Sequence, residues 1–279
     1  MTTQCPFVDQ RDDAFIDQAW TRYTPDEHRL WSALHQRQRD GLDGRACQAF
    51  MRGLEALDLD DGGIPDFDRI NPRLAALTGW RIEAVSGLVS DAVFFDRLSR
   101  RRFPAARFLR GPNQLDYLSE PDLFHDVFGH VPMLTDPVFA DYMQAYGVGG
   151  LRAMGADHLK HLARLYWHTV EFGLVRDGPN LKIYGAGIVS SRGEMRHALE
   201  APTPLRLDFD MERVMRTPYR IDRFQETYFV IPSIPALLDA TLQDFGGLYQ
   251  RLDGAADLEM DTTAPGDRIV IRPVAPDAQ

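Results

Sequence analysis

Residues 119–132 read SEPDLFHDVFGHVP and carry two histidines five positions apart, His125 and His130. On an unbroken α-helix, two side chains five apart point about 140° away from each other. A helix that ends at Gly129 would let His130 turn back toward His125, and the pair could then hold one metal ion with a third ligand from elsewhere. The alternative is a core histidine at 125 and a histidine charge at a helix C-terminus at 130.

The flanking residues predict the limits of this short helix. Ser119 with Asp122 three positions later resembles a helix-capping box, and Pro121 suits a first helical turn. Gly129 and Pro132 predict the end of the helix. The spacing differs from the zinc-protease motif H-E-x-x-H, in which histidines four apart face one way and a glutamate acts as base.

The composition is that of an ordinary globular protein. The chain has 279 residues, of which 44% are hydrophobic and 26% charged, and its net charge is -10. The acidic balance argues against a nucleic acid or an anionic membrane as the main partner. No apolar run approaches the 18 residues or so of a transmembrane helix, so none is expected.

The N-terminus and the cysteines indicate a cytoplasmic protein. The first residues are polar and acidic, unlike a secretory signal or a transit peptide. The two cysteines are Cys5, in a predicted tail, and Cys47. One disulfide between them has no support, and a reducing cytosol is the simpler interpretation.

Local patterns predict a mainly α-helical protein with a few short β-strands, an α+β class, in one catalytic domain without repeats or linkers. We expect a lead-in at 1–22, the catalytic domain at 23–260, and a C-terminal strand and tail at 261–279. The predicted helices are residues 25–40 with Thr24 as N-cap, 47–57, 67–77 with a break at Pro72, 94–98, 136–147, 157–175 and 233–249. The predicted strands are 81–85, 103–109, the end of 221–231, and 268–272.

Glu171 is the candidate third ligand. It lies next to apolar Val170 and one helical turn after Trp167, near the edge of the buried face of the predicted helix 157–175. A carboxylate among aromatic side chains needs a partner, and a cation would be one. The alternative is a glutamate on the helix surface.

Two histidines and one carboxylate are the ligand set of non-heme Fe(II) oxygenases. Three protein ligands on one side fix the ion, and the remaining positions admit O2, water or a co-substrate. A zinc hydrolase uses the same three ligand types, so that alternative stays open at this point.

Three ordered sequence blocks resemble the tetrahydropterin-dependent aromatic amino acid hydroxylases. They are EPD at 120–122 with HD at 125–126 and FGHVP at 128–132, YWHTVEFGL at 166–174, and YGAG at 184–187 followed by SS at 190–191. The resemblance covers about residues 87–231, and within the family the chain is most similar to the short bacterial phenylalanine 4-hydroxylases. It implies a monomer, because neither a regulatory domain nor a C-terminal heptad helix is evident.

The resemblance also implies roles for individual residues. The implied iron ligands and catalytic residues are His125, His130 and Glu171. The implied pterin-binding residues are Gly87, Leu88, Val89, Ser90, Phe94, Asp126, Ala163 and Tyr166. The implied substrate-binding residues are Arg110, Asp122, Pro121, Phe103, Trp167, Gly187 and Ser190. Among these, Arg110 would pair with the substrate carboxylate while held by Asp122, and Ser190 would orient His125.

The implied activity is hydroxylation of L-phenylalanine to L-tyrosine by a monooxygenase that uses Fe(II), a tetrahydropterin and O2. Hydroxylation of tyrosine or tryptophan is the alternative within the family, because small changes in a pocket decide ring selectivity. A zinc hydrolase leaves the aromatic and glycine-rich blocks unexplained. A binding module without catalysis is disfavoured by the intact His125, His130 and Glu171.

Overall fold

The computed structural model describes residues 14–59, 62–115, 120–154 and 158–271. Helices predominate there and the strands are short, which confirms the predicted α+β class. The α-helices are α1 (Pro25–Leu42), α2 (Gln48–Leu57), α3 (Phe67–Thr78), α4 (Asp91–Ser99), α5 (Pro137–Ala153), α6 (Leu159–Tyr166), α7 (Ala186–Val189), α8 (Arg192–Glu200), α9 (Met211–Arg216), α10 (Ile234–Thr241) and α11 (Phe245–Leu252). The strands are β1 (Arg81–Val85), β2 (Arg102–Ala106), β3 (Leu174–Asp177), β4 (Asn180–Ile183), β5 (Leu205–Asp208), β6 (Thr227–Ile231) and β7 (Ile269–Ile271).

The strands form two sheets. β1 and β2 are parallel, with Arg81 opposite Arg102 and Val85 opposite Ala106. The larger sheet has the order β4-β3-β6-β5-β7. β6 is parallel to both β3 and β5, whereas β4 and β7 are antiparallel to their neighbours. β3 begins at Leu174, three residues after Glu171.

Two π-helices, Phe124–His130 and Trp167–Glu171, lie at the centre of the helical part. In the first, the Phe124 and Phe128 rings stack with centroids 4.7 Å apart. Trp31 of α1 packs on Phe124 at 5.2 Å, and Phe50 of α2 packs on Phe128 at 6.0 Å. The segment is therefore clamped by the core on one side, which leaves its other side for polar side chains.

The predicted end of this helix at Gly129 is wrong. The π-helix runs through His130 and continues as a 3-10 helix, Val131–Thr135, with Pro132 in its first turn. Gly129 serves close packing instead, because a Cβ there would lie 3.0 Å from the Ala186 carbonyl oxygen. The predicted start also differs, since Pro121 is exposed and precedes the helix, and Ser119 lies outside the described residues.

Local capping signals predict helix starts well. The Thr24 hydroxyl accepts from the Glu27 amide, and the Glu27 carboxylate accepts from the Thr24 amide, so the capping box of α1 is confirmed. Asp136 likewise caps α5 and Asp66 caps α3. These bonds join residues two or three positions apart, so tertiary context is not needed to predict them.

Several predicted helix breaks and extensions are wrong. α3 passes through Pro72 without a break. α5 passes through Gly147, which packs against α4 so closely that a Cβ there would lie 2.5 Å from the Ser99 amide nitrogen. The predicted helix 157–175 ends at Glu171, and its first residue lies outside the described part of the chain. The predicted helix 233–249 is two helices, α10 and α11.

Both ends of the described chain pack on the domain. The Ile16 amide donates to the Ala84 carbonyl of β1 at 2.9 Å, and the Trp20 indole donates to the Ile64 carbonyl at 2.7 Å. At the other end, the Arg213 guanidinium donates to the Thr262 carbonyl at 2.9 Å. Cys5 and Arg272 lie outside the described residues. None of the helices described here is both long and apolar enough to cross a bilayer.

Candidate metal centre

The two histidines face each other because their helix is a π-helix. Its hydrogen bonds join residues five apart, so side chains at that separation stand one turn above the other. The Nε2 atoms of His125 and His130 lie 3.2 Å apart, and the two rings are almost perpendicular at 85°. The predicted pairing of the histidines is therefore present, although the helix does not end between them.

Glu171 completes a cluster that we call the triad (His125, His130 and Glu171). Its oxygens lie 3.2 Å from the His130 Nε2 and 3.4 Å from the His125 Nε2. One ligand atom from each residue falls within 4.8 Å of the others. Two imidazoles and one carboxylate fit a non-heme iron ion whose remaining coordination positions are open.

The electrostatics of the triad favour a charged carboxylate. Burial alone would raise the pKa of Glu171, but the His130 and His125 rings beside it hold that pKa well below its ordinary value. Glu171 is therefore anionic at pH 7. Imidazole ligands are neutral, so the Glu171 carboxylate is the one member of the triad that would offset the positive charge of a bound ion.

Ser190 fixes the tautomer of His125. The Ser190 hydroxyl donates to the Ala186 carbonyl at 2.7 Å and lies 2.9 Å from the His125 Nδ1. Since a serine has one hydroxyl proton, the Nδ1–H of His125 must be the donor in the second bond. The Nε2 lone pair of His125 then points toward the triad, as a metal ligand requires.

A buried ion pair lies directly behind His125. The Asp122 carboxylate accepts from the Arg110 Nε and Nη2 at 2.9 and 2.8 Å, and from the Arg110 backbone amide at 2.9 Å. It also accepts from the His125 amide at 3.0 Å. Burial would raise the pKa of Asp122, but Arg110 lowers it below its usual value. The predicted pairing of Arg110 with Asp122 is therefore present, with both side chains buried.

Aromatic rings and a buried carboxyl also lie near the triad. The Phe94 ring meets Tyr166 edge-on at 5.6 Å, and Tyr166 lies over His130 at 6.2 Å. The Asp126 carboxylate accepts from the Ala106 amide at 2.7 Å, and burial raises its pKa to about 6. Two rings and a hydrogen-bond acceptor fit a flat, polar ring system such as a pterin.

The predicted pterin loop, residues 87–90, joins β1 to α4 and reaches the site through Phe94. The Phe94 amide donates to the Ser90 carbonyl at 2.9 Å. Within the loop, Leu88 is 75% exposed, whereas Gly87 and Val89 are half-buried. Ala163 precedes Tyr166 by three residues on α6, so both are carried by the same helix.

Three of the predicted substrate residues pack against aromatic rings. The Phe103 ring packs on His130 at 5.0 Å. The Trp167 ring packs on Phe172 at 4.8 Å. Gly187 lies against the same Phe172, where a Cβ would come within 2.8 Å of the ring. Pro121, in contrast, is exposed and precedes the π-helix.

Residues 17–252 match the family model of the biopterin-dependent aromatic amino acid hydroxylases. The chain belongs to this family. A phenylalanine-4-hydroxylase of Caulobacter vibrioides is 62% identical over 262 residues, which are 94% of this chain and 89% of the relative. One from Chromobacterium violaceum is 51% identical over 258 residues, 92% of this chain and 87% of the relative.

Solved structures of this hydroxylase family share the whole fold. The crystal structure of phenylalanine hydroxylase from C. violaceum bound to cobalt superposes with a TM-score of 0.91. That structure has 51% sequence identity to this chain, and the match covers 94% of each. The likeness therefore extends well beyond the three sequence blocks that carry the resemblance.

Sequence reasoning missed three side chains that contact the predicted substrate residue Trp167. Phe172 follows Glu171 directly and could have been proposed from its place in the second block. Tyr219, which stacks on Trp167 with centroids 4.3 Å apart, lies 52 positions away in sequence. Gln225, which accepts from the Trp167 indole at 2.9 Å, carries no local signal either. Only the fold brings the last two to the site.

Proposed function

We propose that this chain hydroxylates L-phenylalanine to L-tyrosine, using O2, a tetrahydropterin and non-heme Fe(II). The observation that carries the proposal is the triad, whose three donor atoms lie within 4.8 Å of each other. Membership of the biopterin-dependent hydroxylases and the phenylalanine-4-hydroxylase relatives support this choice of co-substrate and ring.

In this proposal His125, His130 and Glu171 hold the iron and are the catalytic residues. When bound, iron would activate O2, and the tetrahydropterin would supply two electrons and take up one oxygen atom while the other goes to the ring. Ser190 keeps His125 in the tautomer that ligates through Nε2. The Asp122 carboxylate anchors the amide of His125, so movement of the π-helix at that end is resisted.

The tetrahydropterin is proposed to bind on the Phe94 side of the triad. Phe94 would offer a ring face for stacking, and the Asp126 carboxylate would accept hydrogen bonds from the pterin. The remaining proposed contacts come from the loop 87–90 and from one face of α6. They are Gly87, Leu88, Val89, Ser90, Ala163 and Tyr166.

The amino acid is proposed to bind on the opposite side. The Arg110 guanidinium would pair with the substrate carboxylate, and its bidentate bond to Asp122 would hold it in place. Phe103 and Trp167 would line the aromatic pocket, together with Pro121 and Gly187. These walls exclude water from the ring and orient it toward the iron, which is the contribution that positioning makes to rate.

We also propose that residues 23–260 form the catalytic unit, with residues 14–22 and 261–271 packed on it. A cytoplasmic monomer is the proposed state of the protein. Sedimentation equilibrium at micromolar concentration tests the monomer, and a concentration-dependent rise in mass would contradict it. Activity of a chain limited to residues 23–260 tests the proposed unit.

The reaction is tested by loading the protein anaerobically with Fe(II) and adding O2, a tetrahydropterin and one amino acid. L-phenylalanine, L-tyrosine and L-tryptophan are compared by chromatography of the products. We expect tyrosine from phenylalanine, dependent on both iron and pterin, and its loss in Glu171→Ala. If another ring is hydroxylated instead, that amino acid is the substrate. If zinc restores activity without O2, the protein is a hydrolase and not an oxygenase.

A further inference from the structure

The indole of Trp167 lies in an aromatic stack that fixes the plane of its ring but not which edge of the ring faces the pocket. Its ring is nearly parallel to Tyr219, at 14° with centroids 4.3 Å apart, and packs on Phe172 at 4.8 Å and 35°. Contacts between ring faces are weakly directional within the plane. The stack alone therefore does not distinguish the two indole orientations that are related by a half-turn about the Cβ–Cγ bond.

One hydrogen bond removes this freedom. The Trp167 Nε1–H donates to the Gln225 Oε1 at 2.9 Å, and Gln225 is buried with 4% of its surface exposed. The other end of the same amide, Nε2, donates to the Arg220 carbonyl at 2.9 Å. A reversed amide would set NH2 against the indole N–H and lose both bonds, so its orientation is fixed.

The backbone of Gln225 is held from two sides. Its amide donates to the Glu194 Oε1 at 3.1 Å, and its carbonyl accepts from the His197 Nε2 at 3.1 Å. The same Glu194 oxygen accepts from the buried Tyr228 hydroxyl at 2.5 Å. Glu194 and His197 both lie on α8, so the first turns of this helix form a fixed support for Gln225.

We propose that Gln225, supported by Glu194, is a positioning residue that fixes the Trp167 indole and thereby the ring selectivity of the aromatic pocket. This inference rests on the proposed function, in which Trp167 lines the substrate pocket. A fixed indole presents one edge to the substrate ring. An indole that adopts both orientations presents either of two edges. The pocket then fits phenylalanine less closely and excludes larger rings less strictly.

The test uses a matched pair of variants at position 225. Gln225→Met is similar in length but is at most a weak acceptor for the indole. Gln225→Glu also loses the donor to Arg220 but keeps an oxygen in reach of the Trp167 Nε1–H. For Gln225→Met we expect the KM for L-phenylalanine to rise about tenfold, the scale of one lost hydrogen bond, with kcat changing less. Gln225→Glu is expected to retain most of the wild-type KM.

Selectivity is read from competition between equal amounts of L-phenylalanine and L-tryptophan. The share of hydroxytryptophan in the products is expected to rise in Gln225→Met and to stay near wild type in Gln225→Glu. The same measurements in Trp167→Phe, which lacks the indole N–H, separate the bond from general packing. In that background Gln225→Met is expected to cause no further change in KM or product ratio.

A second site keeps the inference testable if Gln225→Met does not fold. Glu194→Leu removes the acceptor beneath the Gln225 amide, whereas Glu194→Gln retains an oxygen there. The first is expected to shift KM and product ratio in the direction of Gln225→Met, and the second is not. An unchanged KM and product ratio in the folded acceptor-deleting variants would overturn the inference, as would an equal effect of Gln225→Met with and without the indole N–H. Failure of the wild-type protein to hydroxylate phenylalanine would instead reject the proposed function.

Discussion

The hydroxyl of Ser190 has a single proton, and the Ala186 carbonyl takes it. The serine can therefore only accept from the Nδ1 of His125, which leaves Nε2 of that ring as the ligand atom. The hydrogen bond leaves the three metal ligands unchanged, yet it selects one tautomer and one orientation of the His125 ring. Groups that support metal ligands in this way commonly contribute 10–100-fold to affinity.

We expect Ser190→Ala to weaken Fe(II) binding by about tenfold, because both tautomers of His125 then become accessible. Anaerobic calorimetry measures the affinity directly. The matched control is Ser191→Ala at the next position, which removes the hydroxyl that caps α8. That variant should lose about 1 kcal/mol of stability but bind iron as the wild type does. Equal iron affinities in both variants would contradict the role of Ser190.

Glu194 gives the protein a predictable dependence of stability on pH. Burial raises its pKa from 4.5 to about 6, although the bonds from Tyr228 and Gln225 act in the opposite direction. Between these two pH values the folded protein keeps a proton that the unfolded chain releases. The contribution of Glu194 to the free energy of unfolding therefore falls as the pH rises from 4.5 to above 6, by about 2 kcal/mol.

Glu194→Gln is expected to remove this part of the pH dependence. Its amide oxygen can accept from both the Gln225 amide and the Tyr228 hydroxyl, which bond the same oxygen now. Relative to the wild type, the variant should gain up to about 2 kcal/mol at pH 8 and little at pH 4. Urea denaturation across this range measures the difference. A difference that does not vary with pH would show that Glu194 is not the responsible group.

At the scale of elements, glycine serves close packing where the sequence suggested helix ends. Gly129 lies inside the π-helix and lets α7 approach it, with the Ala186 carbonyl 3.0 Å from where a Cβ would be. α7 ends one residue before Ser190, so this contact also sets the distance between Ser190 and His125. Gly149 of α5, in contrast, has no atom within 4 Å of such a Cβ.

These two glycines provide a paired test of helix packing. Gly129→Ala should cost about 1–3 kcal/mol in the free energy of unfolding, and weaken iron binding by displacing Ser190. Gly149→Ala should stabilise the protein by up to about 1 kcal/mol, because alanine favours the helix and meets no neighbour. Chemical denaturation and iron titration of both variants provide the comparison. A stable Gly129→Ala protein with wild-type iron affinity would refute the packing argument.

The sequence predicted those elements whose causes are local. The capping box of Thr24 and Glu27, and the strand Arg81–Val85, needed only neighbouring residues. The Pro72 break failed because burial of Ile70 and Leu74 holds α3 together across the missing hydrogen bond. The predicted helix end at Gly147 was wrong because this glycine packs against Ser99, which is distant in sequence. The histidine spacing, the position of Glu171 on its helix and the resemblance together predicted the triad, whereas Gln225 required the fold.

At the scale of the whole molecule, the triad joins segments that are separate in sequence. Its histidines lie in the π-helix clamped between α1 and α2, and its glutamate lies 41 positions after His130, just before the five-stranded sheet. An ion held by all three therefore connects the helical core to the sheet. Because the unfolded chain does not hold these ligands together, iron should bind almost only to the folded state.

Iron should accordingly stabilise the protein against unfolding. At a free Fe(II) concentration 100 times the Kd, the gain is expected to be about 2.7 kcal/mol. Anaerobic denaturation with and without Fe(II) measures it, and chelation should reverse it. Glu171→Ala, which lacks one ligand, should gain much less at the same iron concentration. An equal gain in both proteins would place the binding ion elsewhere.

The two π-helices also constrain how this gene can change in length. A π turn is an α-helical turn that has gained one residue, and here the gained residue allows His125 and His130 to share one face while Phe124 and Phe128 stack in the core. Loss of a single codon between the histidines would leave them four apart, still on one face of an α-helix. The same loss would rotate everything downstream relative to the core by about 100°. Natural selection should therefore remove codon deletions in these two short segments far more strictly than it removes substitutions.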